Sequence, residues 1–248
     1  MIEVDHVYKI FDGKEVLQDV STSYDAGIIN MIIGSSGSGK TVLLKCIVGL
    51  LHPDKGSVLY DNRNFTNMNY RDQKKVRLEI GMLFQGAALF NSMTVFENIS
   101  FPLKMFSNKT PKEVQMRVES CLERVNLEMK VAELYPSEIS GGMQKRVGIA
   151  RAIVNQPKYL FYDEPNSGLD PKTSRVIDKL IKDITNDLNT TTIINSHDMK
   201  SVFEIADNVV FIHDGKKWWD GNPDEIDDSK NAELLQMMDA SGREIQSD

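Results

Sequence analysis

The chain of 248 residues predicts an α/β fold: a mainly parallel sheet, antiparallel β strands at the N-terminus and an inserted helical subdomain over about residues 87–156. Three observations predict it. An apolar run at 28–33 enters a glycine-rich turn that opens a helix. Strand and helix patterns alternate again over 159–213. The stretch between them carries apolar residues at helical spacing.

Taken in order, β-rich segments at 2–7 and 16–24 precede the strand at 28–33, which contains Asn30 within an otherwise buried-looking run. A helix follows over 39–49, with Val42, Leu43, Ile47 and Leu50 at helical spacing and Gly49 near its end. Segments 58–60 and 80–84 read as further strands. Helices are predicted over 94–104, 111–125 and 141–155. Thr110-Pro111 sets a capping residue before a proline at the first helical position, and Val114, Val118, Leu122 and Val125 form one packing face. Strands at 159–163, 192–196 and 209–213 then alternate with helices at 171–188 and 199–206. There is no internal repeat or low-complexity linker, so residues 1–221 are expected to form a single domain.

Composition narrows the function classes. An apolar fraction of 41% and a charged fraction of 26% are those of a soluble globular protein. No run approaches the length of a membrane span, and the opening Met1-Ile2-Glu3-Val4-Asp5 lacks the basic and apolar regions of a signal peptide. Cys46 and Cys121 show no metal-ligand spacing and suit a reducing cytoplasm. Of the net charge of −7, residues 222–248 account for −6, so the remainder offers no basic footprint for nucleic acid. That acidic tail reads as a solvated, partly disordered end, with Ile226 and Leu234-Leu235 as weak docking points.

Gly34-Ser35-Ser36-Gly37-Ser38-Gly39-Lys40-Thr41 matches the G-x4-G-K-[ST] pattern between a strand and a helix. Four fixed positions recur by accident in roughly 1% of chains this long, and the strand–helix context lowers that further. Glycines let backbone N–H groups approach phosphate oxygens, and the helix N-terminus adds a positive dipole end. Lys40 supplies a cation for the β and γ phosphates of ATP; Thr41 offers a hydroxyl to Mg²⁺.

Further along, Tyr159-Leu160-Phe161-Tyr162-Asp163-Glu164 is an apolar strand ending in two carboxylates. Alone, such a pair is as often a solvated loop. After a phosphate loop it is the expected second half of a nucleotide site, Asp163 holding Mg²⁺ through water and Glu164 polarising the attacking water.

Ile139-Ser140-Gly141-Gly142-Met143-Gln144 opens a helix, and in isolation would be an ordinary capping turn. In this company it resembles the signature motif of ABC ATPases, and the resemblance covers residues 2–221. It implies the ABC ATPase form of the P-loop NTPase fold. It also implies that Ser140, Gly141 and Gly142 contact the γ-phosphate held by a second copy in a head-to-tail homodimer. By the same resemblance Gln85 is the Q-loop glutamine that senses Mg²⁺, and Asp170, in Ser167-Gly168-Leu169-Asp170, belongs to the D-loop. His197 matches the switch histidine near the γ-phosphate, and Phe11 the aromatic that stacks on adenine, with Tyr8 as the alternative. Ile139 stands where Leu is usual, Met143 where Gln is common and Gly168 where Ala is common. None of these removes a group that contacts phosphate, so both sites of the homodimer are expected to hydrolyse ATP.

In ABC transporters the segment after the Q-loop lines the groove that accepts a coupling helix of the membrane subunit. Here Phe84, Leu89, Phe90 and Phe96 would form that socket, although about half of them are expected to pack internally. Residues 83–103 and the Ser140-Gly141-Gly142-Met143 variant further resemble the ATPase of the Mla (maintenance of lipid asymmetry) phospholipid transporters. That resemblance implies two copies on the cytoplasmic face of a bacterial inner membrane beneath two permease subunits, serving an MCE-type substrate-binding protein and moving phospholipid between membranes. The alternatives are an ATPase for an importer of amino acids or other small solutes, and a soluble ABC ATPase of DNA repair or translation. The last usually carries a long coiled-coil insertion or tandem ATPase domains, which this chain does not show. A non-hydrolysing binder is disfavoured by Glu164.

Overall fold

The computed structural model describes residues 1–239. In chain order the first elements are β1 (Ile2–Phe11), β2 (Lys14–Tyr24), β3 (Ile29–Ile33), α1 (Lys40–Val48), β4 (Lys55–Tyr60), β5 (Arg63–Asn64) and α2 (Tyr70–Leu78). There follow β6 (Ile80–Leu83), α3 (Val95–Phe106), α4 (Pro111–Arg124), α5 (Gly141–Ile153), β7 (Tyr159–Asp163) and α6 (Pro171–Leu188). The last are β8 (Thr191–Asn195), α7 (Met199–Ile205), β9 (Asn208–His213), β10 (Lys216–Gly221) and α8 (Ala232–Asp239). They divide into two compact units, one of residues 1–77 with those from 191 onward, the other of 78–190.

In the first unit an antiparallel sheet runs in the order β2-β1-β4-β5. The β1–β2 hairpin turns on Asp12-Gly13, at φ 49° and 79°, the left-handed pair that matches strand twist. In the second sheet β3 lies between β8 and β9, parallel to both, and β10 pairs antiparallel to β9. Every residue of β3 and β8 is buried, which explains the near-continuous apolar run of β3. Asn30 is the exception in β3, and it is satisfied. Its amide donates to the Asp25 and Thr192 carbonyls, each at 3.2 Å, while its oxygen accepts from Asn208.

The acidic tail differs from expectation over its described part. Residues 222–239 form two short 3-10 turns and α8, with Ile226, Leu234 and Met238 fully buried. The apolar residues named as weak docking points thus fix the segment, and the charges lie on its outer side. Residues 240–248 of that tail lie outside the described residues.

The second unit pairs β6 parallel to β7, with every residue of β7 buried. The stretch expected as a helical subdomain holds α3, α4 and α5, and the unit also takes in β6, β7 and α6. Val114, Val118, Leu122 and Val125 are buried together as predicted. Helix α5 lies so close to β6 that a Cβ on Gly81 would come within 2.2 Å of the Ala152 carbonyl. Two capping boxes, at Thr94/Glu97 and Thr110/Glu113, start α3 and α4. Asn98 is fully buried: its amide donates to the carbonyls of Phe90, Met93 and Thr94, and its oxygen accepts from Phe90 N–H. Thus α3 holds the loop before it.

Elements α2, β5 and β10 carry no clear sequence pattern. Only Val76 of α2 is buried, so no apolar face repeats along it. No helix among the described residues is long and apolar enough to cross a membrane. Ile226→Ala should lower stability by about 2–5 kcal/mol in chemical denaturation, because it empties a buried site.

Candidate functional site

In the first unit the residues 34–41 join β3 to α1. Gly34, at φ 151°, has no room for a side chain, since a Cβ would lie 2.2 Å from the Ile212 carbonyl oxygen. Gly39, at φ 107°, caps α1 without a side chain. Lys40 is buried, and its ammonium donates to the Gly34 and Ser35 carbonyls at 2.8 and 2.9 Å. The exposed turn Ser35-Ser36-Gly37 lies between these anchors. Ser38 Oγ is buried with no hydrogen-bond partner among the described residues. An orphaned hydroxyl beside a helix N-terminus, with a lysine at its base, fits a phosphate oxygen.

Thr41 is half-buried, and its Oγ accepts from Asn195 Nδ2 at 3.1 Å. The hydroxyl is thereby fixed with an oxygen lone pair to offer, which suits a hard cation such as Mg²⁺. Among the described residues no group of three or more His, Cys, Asp or Glu could hold a metal. A cation here would therefore draw on hydroxyl, phosphate and water oxygens besides carboxylate. Asn195 was missed in the sequence; its signal is a polar residue closing the buried strand β8. His197 follows it, exposed, and Asp198 caps α7. Phe11 stands 40% exposed at the end of β1 and Tyr8 is half-buried. Each has a lysine ammonium 5.3 Å from its ring centroid, Lys9 over Phe11 and Lys55 over Tyr8, so Phe11 differs in being the more exposed ring.

In the second unit Ser140 caps α5, its Oγ accepting from Met143 N–H at 3.3 Å. Ser140 and Gly141 are exposed, and a Cβ on Gly141 would meet nothing within 4 Å. This helix end is open to an anion arriving from outside. Gly142 is different, because a Cβ there would lie 2.6 Å from Thr173 Cγ2. Thr173 in turn donates to Asp170, which caps α6 by accepting from the Lys172 and Thr173 N–H groups. The Thr173 hydroxyl bond holds the Asp170 carboxyl below the usual range, helped by those N–H groups. Asp170 and Gly142 are therefore brought together through Thr173, a residue the sequence did not mark.

Asp163 is buried at the tip of β7, and Glu164 is half-buried with φ 50°. Lys145 of α5 is 4% exposed, and its ammonium donates to the Glu164 carbonyl at 3.1 Å. Burial pulls the Lys145 pKa down, opposed by the nearby Glu164 and Asp163 carboxylates. Gln85 is exposed in the loop after β6. In the socket segment Phe84 and Phe90 are exposed, and Leu89 and Phe96 half-buried; none of the four is a core residue. Arg151 donates to the Ala87 and Ala88 carbonyls and so fixes the same loop.

A family model described as ABC transporter matches residues 17–167, more than half of the chain. The chain belongs to the ABC transporter family. A methionine import ATP-binding protein (MetN) of Desulfitobacterium hafniense strain Y51 is 41% identical over 220 residues, covering 87% of this chain and 64% of that protein. Its counterpart from Haemophilus influenzae is 38% identical over 240 residues, covering 95% of this chain and 69% of that protein. The chain thus spans about two thirds of the length of these ABC relatives. A solved structure of a post-hydrolysis dimer of the ATP-binding cassette MJ0796, bound to ADP and Pi, superposes with a TM-score of 0.82 at 29% identity, covering 90% of this chain and 99% of that one. The fold of the chain is that of the ABC ATPases. Both relatives carry a methionine-import name, and the Mla-type resemblance read from residues 83–103 and Met143 finds no support in them.

Lys40→Ala should abolish detectable ATP binding in a fluorescent-nucleotide titration while leaving the circular dichroism spectrum unchanged. Retained binding would remove Lys40 from the phosphate-contacting set.

Proposed function

We propose that this chain is the ATP-hydrolysing subunit of a membrane transporter that imports a small solute of the amino-acid type. The observation that carries the reading is the complete order of ABC motifs, Gly34 to Thr41, Gln85, Ser140 to Gly142, Asp163-Glu164, Asp170 and His197, within a family match. The cargo class is supported by the methionine-import names of relatives about 40% identical.

In this reading Phe11 stacks on adenine, the amides of 34–39 and the Lys40 ammonium bind the β and γ phosphates, and Ser38 Oγ finds its partner there. Thr41, Gln85 and Asp163 would hold Mg²⁺, which supplies positive charge against the phosphate oxygens when bound. Glu164 polarises the attacking water and takes its proton; His197 donates to the γ-phosphate as negative charge builds. Ser140, Gly141 and Gly142 of a second copy complete the phosphate contacts, aided by the open N-terminus of α5. Asp170 lies at that dimer interface. Two permease subunits dock on the segment that exposes Phe84 and Phe90, which places the chain on the cytoplasmic face of the membrane. Cargo reaches the permeases from a binding protein suited to that solute.

A second reading keeps this machinery and replaces the solute with phospholipid delivered by an MCE-type protein. It is favoured by the local resemblance of residues 83–103. Reconstitution with the permeases separates the two. ATP-dependent uptake of labelled methionine or a similar amino acid supports the first. Co-purifying phospholipid with no uptake overturns it in favour of the second.

Glu164→Gln should keep ATP binding, accumulate an ATP-filled dimer and slow hydrolysis by about 10²–10⁴-fold, the usual contribution of a general base. Near-normal turnover refutes the base assignment. Ser140→Arg should impair turnover yet leave nucleotide binding by the monomer intact, and an equal loss of monomer binding contradicts the shared site.

A further inference from the structure

A buried ammonium among apolar neighbours is costly unless it is bonded. Lys145 is 4% exposed on the same helix face as Ile149 and Ala152, and nothing in the nucleotide chemistry above uses it. Its ammonium donates to the Glu164 backbone carbonyl at 3.1 Å, and the same oxygen accepts from Ser167 N–H at 3.2 Å. The residue so held is unusual. Glu164 is at φ 50°, in the left-handed region that side-chain-bearing residues seldom adopt, and Pro165 follows it, restricting its backbone further. Such a conformation persists only where surrounding bonds over-determine it.

We propose that Lys145 is a positioning residue for hydrolysis: its charge-assisted bond holds the Glu164 peptide in the left-handed turn and so aims the Glu164 carboxylate. The inference rests on Glu164 being the base. It has a consequence for how the chain is wired. Ser140 caps α5 and Lys145 stands five residues on, so the helix that offers its first turn to a second copy fixes the base of its own chain with its second. A displacement of α5 therefore reaches the Glu164 backbone through one bond rather than through a loop. The hydrogen bond is to the backbone carbonyl, and the nearby Glu164 and Asp163 carboxylates attract the same ammonium.

The test uses the purified full chain and measures kcat, the KM for ATP and the Tm. Lys145→Met keeps the length and removes the donor. It should lower kcat about tenfold, the loss of one charge-assisted bond in the transition state. KM should stay within about twofold, as expected when only transition-state positioning is lost. Lys145→Gln or Lys145→Arg, each retaining an N–H donor, should recover most of the rate at an unchanged Tm. In the Glu164→Gln background Lys145→Met should change the residual rate by less than about twofold, because the two act as one unit. Full kcat in Lys145→Met, no recovery in either donor variant, or additive losses in the double variant each overturn the proposal. If Glu164→Gln itself turns over normally, the base assignment fails and the proposal falls with it. A silent Lys145→Met beside an inactive Glu164→Gln sinks the positioning role alone.

Discussion

Nucleotide binding in this chain depends on one steric constraint: β3 must become α1 across a turn with no side chain at Gly34. The Ile212 carbonyl lies against that position, so the turn can be made only one way. Lys40 then sets the orientation of the loop peptides. The Gly34 and Ser35 carbonyls both face its ammonium. Because a trans peptide points its N–H opposite to its C=O, the Ser35 and Ser36 amides are left out of the contact with the lysine. The buried Ser38 hydroxyl and the Thr41 hydroxyl held by Asn195 extend the same arrangement into α1.

The second unit meets its requirements with helix ends. Ser140 and Asp170 both serve as caps, and capping alone would account for their residue types. Both helices begin at exposed residues, but Asp170 is engaged by the Thr173 hydroxyl, whereas α5 begins with a Gly141 around which a Cβ would meet no atom. Gly142 is small for a different reason, its contact with Thr173, so adjacent glycines answer to separate constraints. One leaves an approach open and the other lets α5 and α6 close on each other.

Much of this was legible in the sequence because its signals are local. A glycine forced to positive φ, a proline at a helix start and an apolar run between turns each act over a few residues, and α6 and β7 have the predicted bounds. The motif residues were legible because their chemistry fixes their type. What escaped are residues whose role is set by a distant partner: Asn195 on Thr41, Thr173 between Asp170 and Gly142, Lys145 on Glu164. A lysine in an otherwise apolar helix face reads as a solvated side chain until its acceptor, 19 residues away, is known. The tail misled for the opposite reason. Its charge suggested a solvated end, yet a few apolar residues, Ile226 and Leu234 among them, suffice to dock it. The cargo lay beyond the sequence motifs because those motifs answer to phosphate chemistry and not to a transported solute.

Two buried lysines and two half-buried arginines share one physical device. Lys40, Lys145, Arg117 and Arg151 each donate to backbone carbonyls: Gly34 and Ser35, Glu164, Ile153 and Val154, Ala87 and Ala88. A carboxylate partner would bind more strongly but would take part in the same electrostatics as the substrate. A carbonyl carries no charge that titrates, so the acceptor side of each of these bonds does not change with pH. Backbone held in this way stays in place while charge moves across it, which is what an ATPase needs if the carboxylates themselves are to do the chemistry.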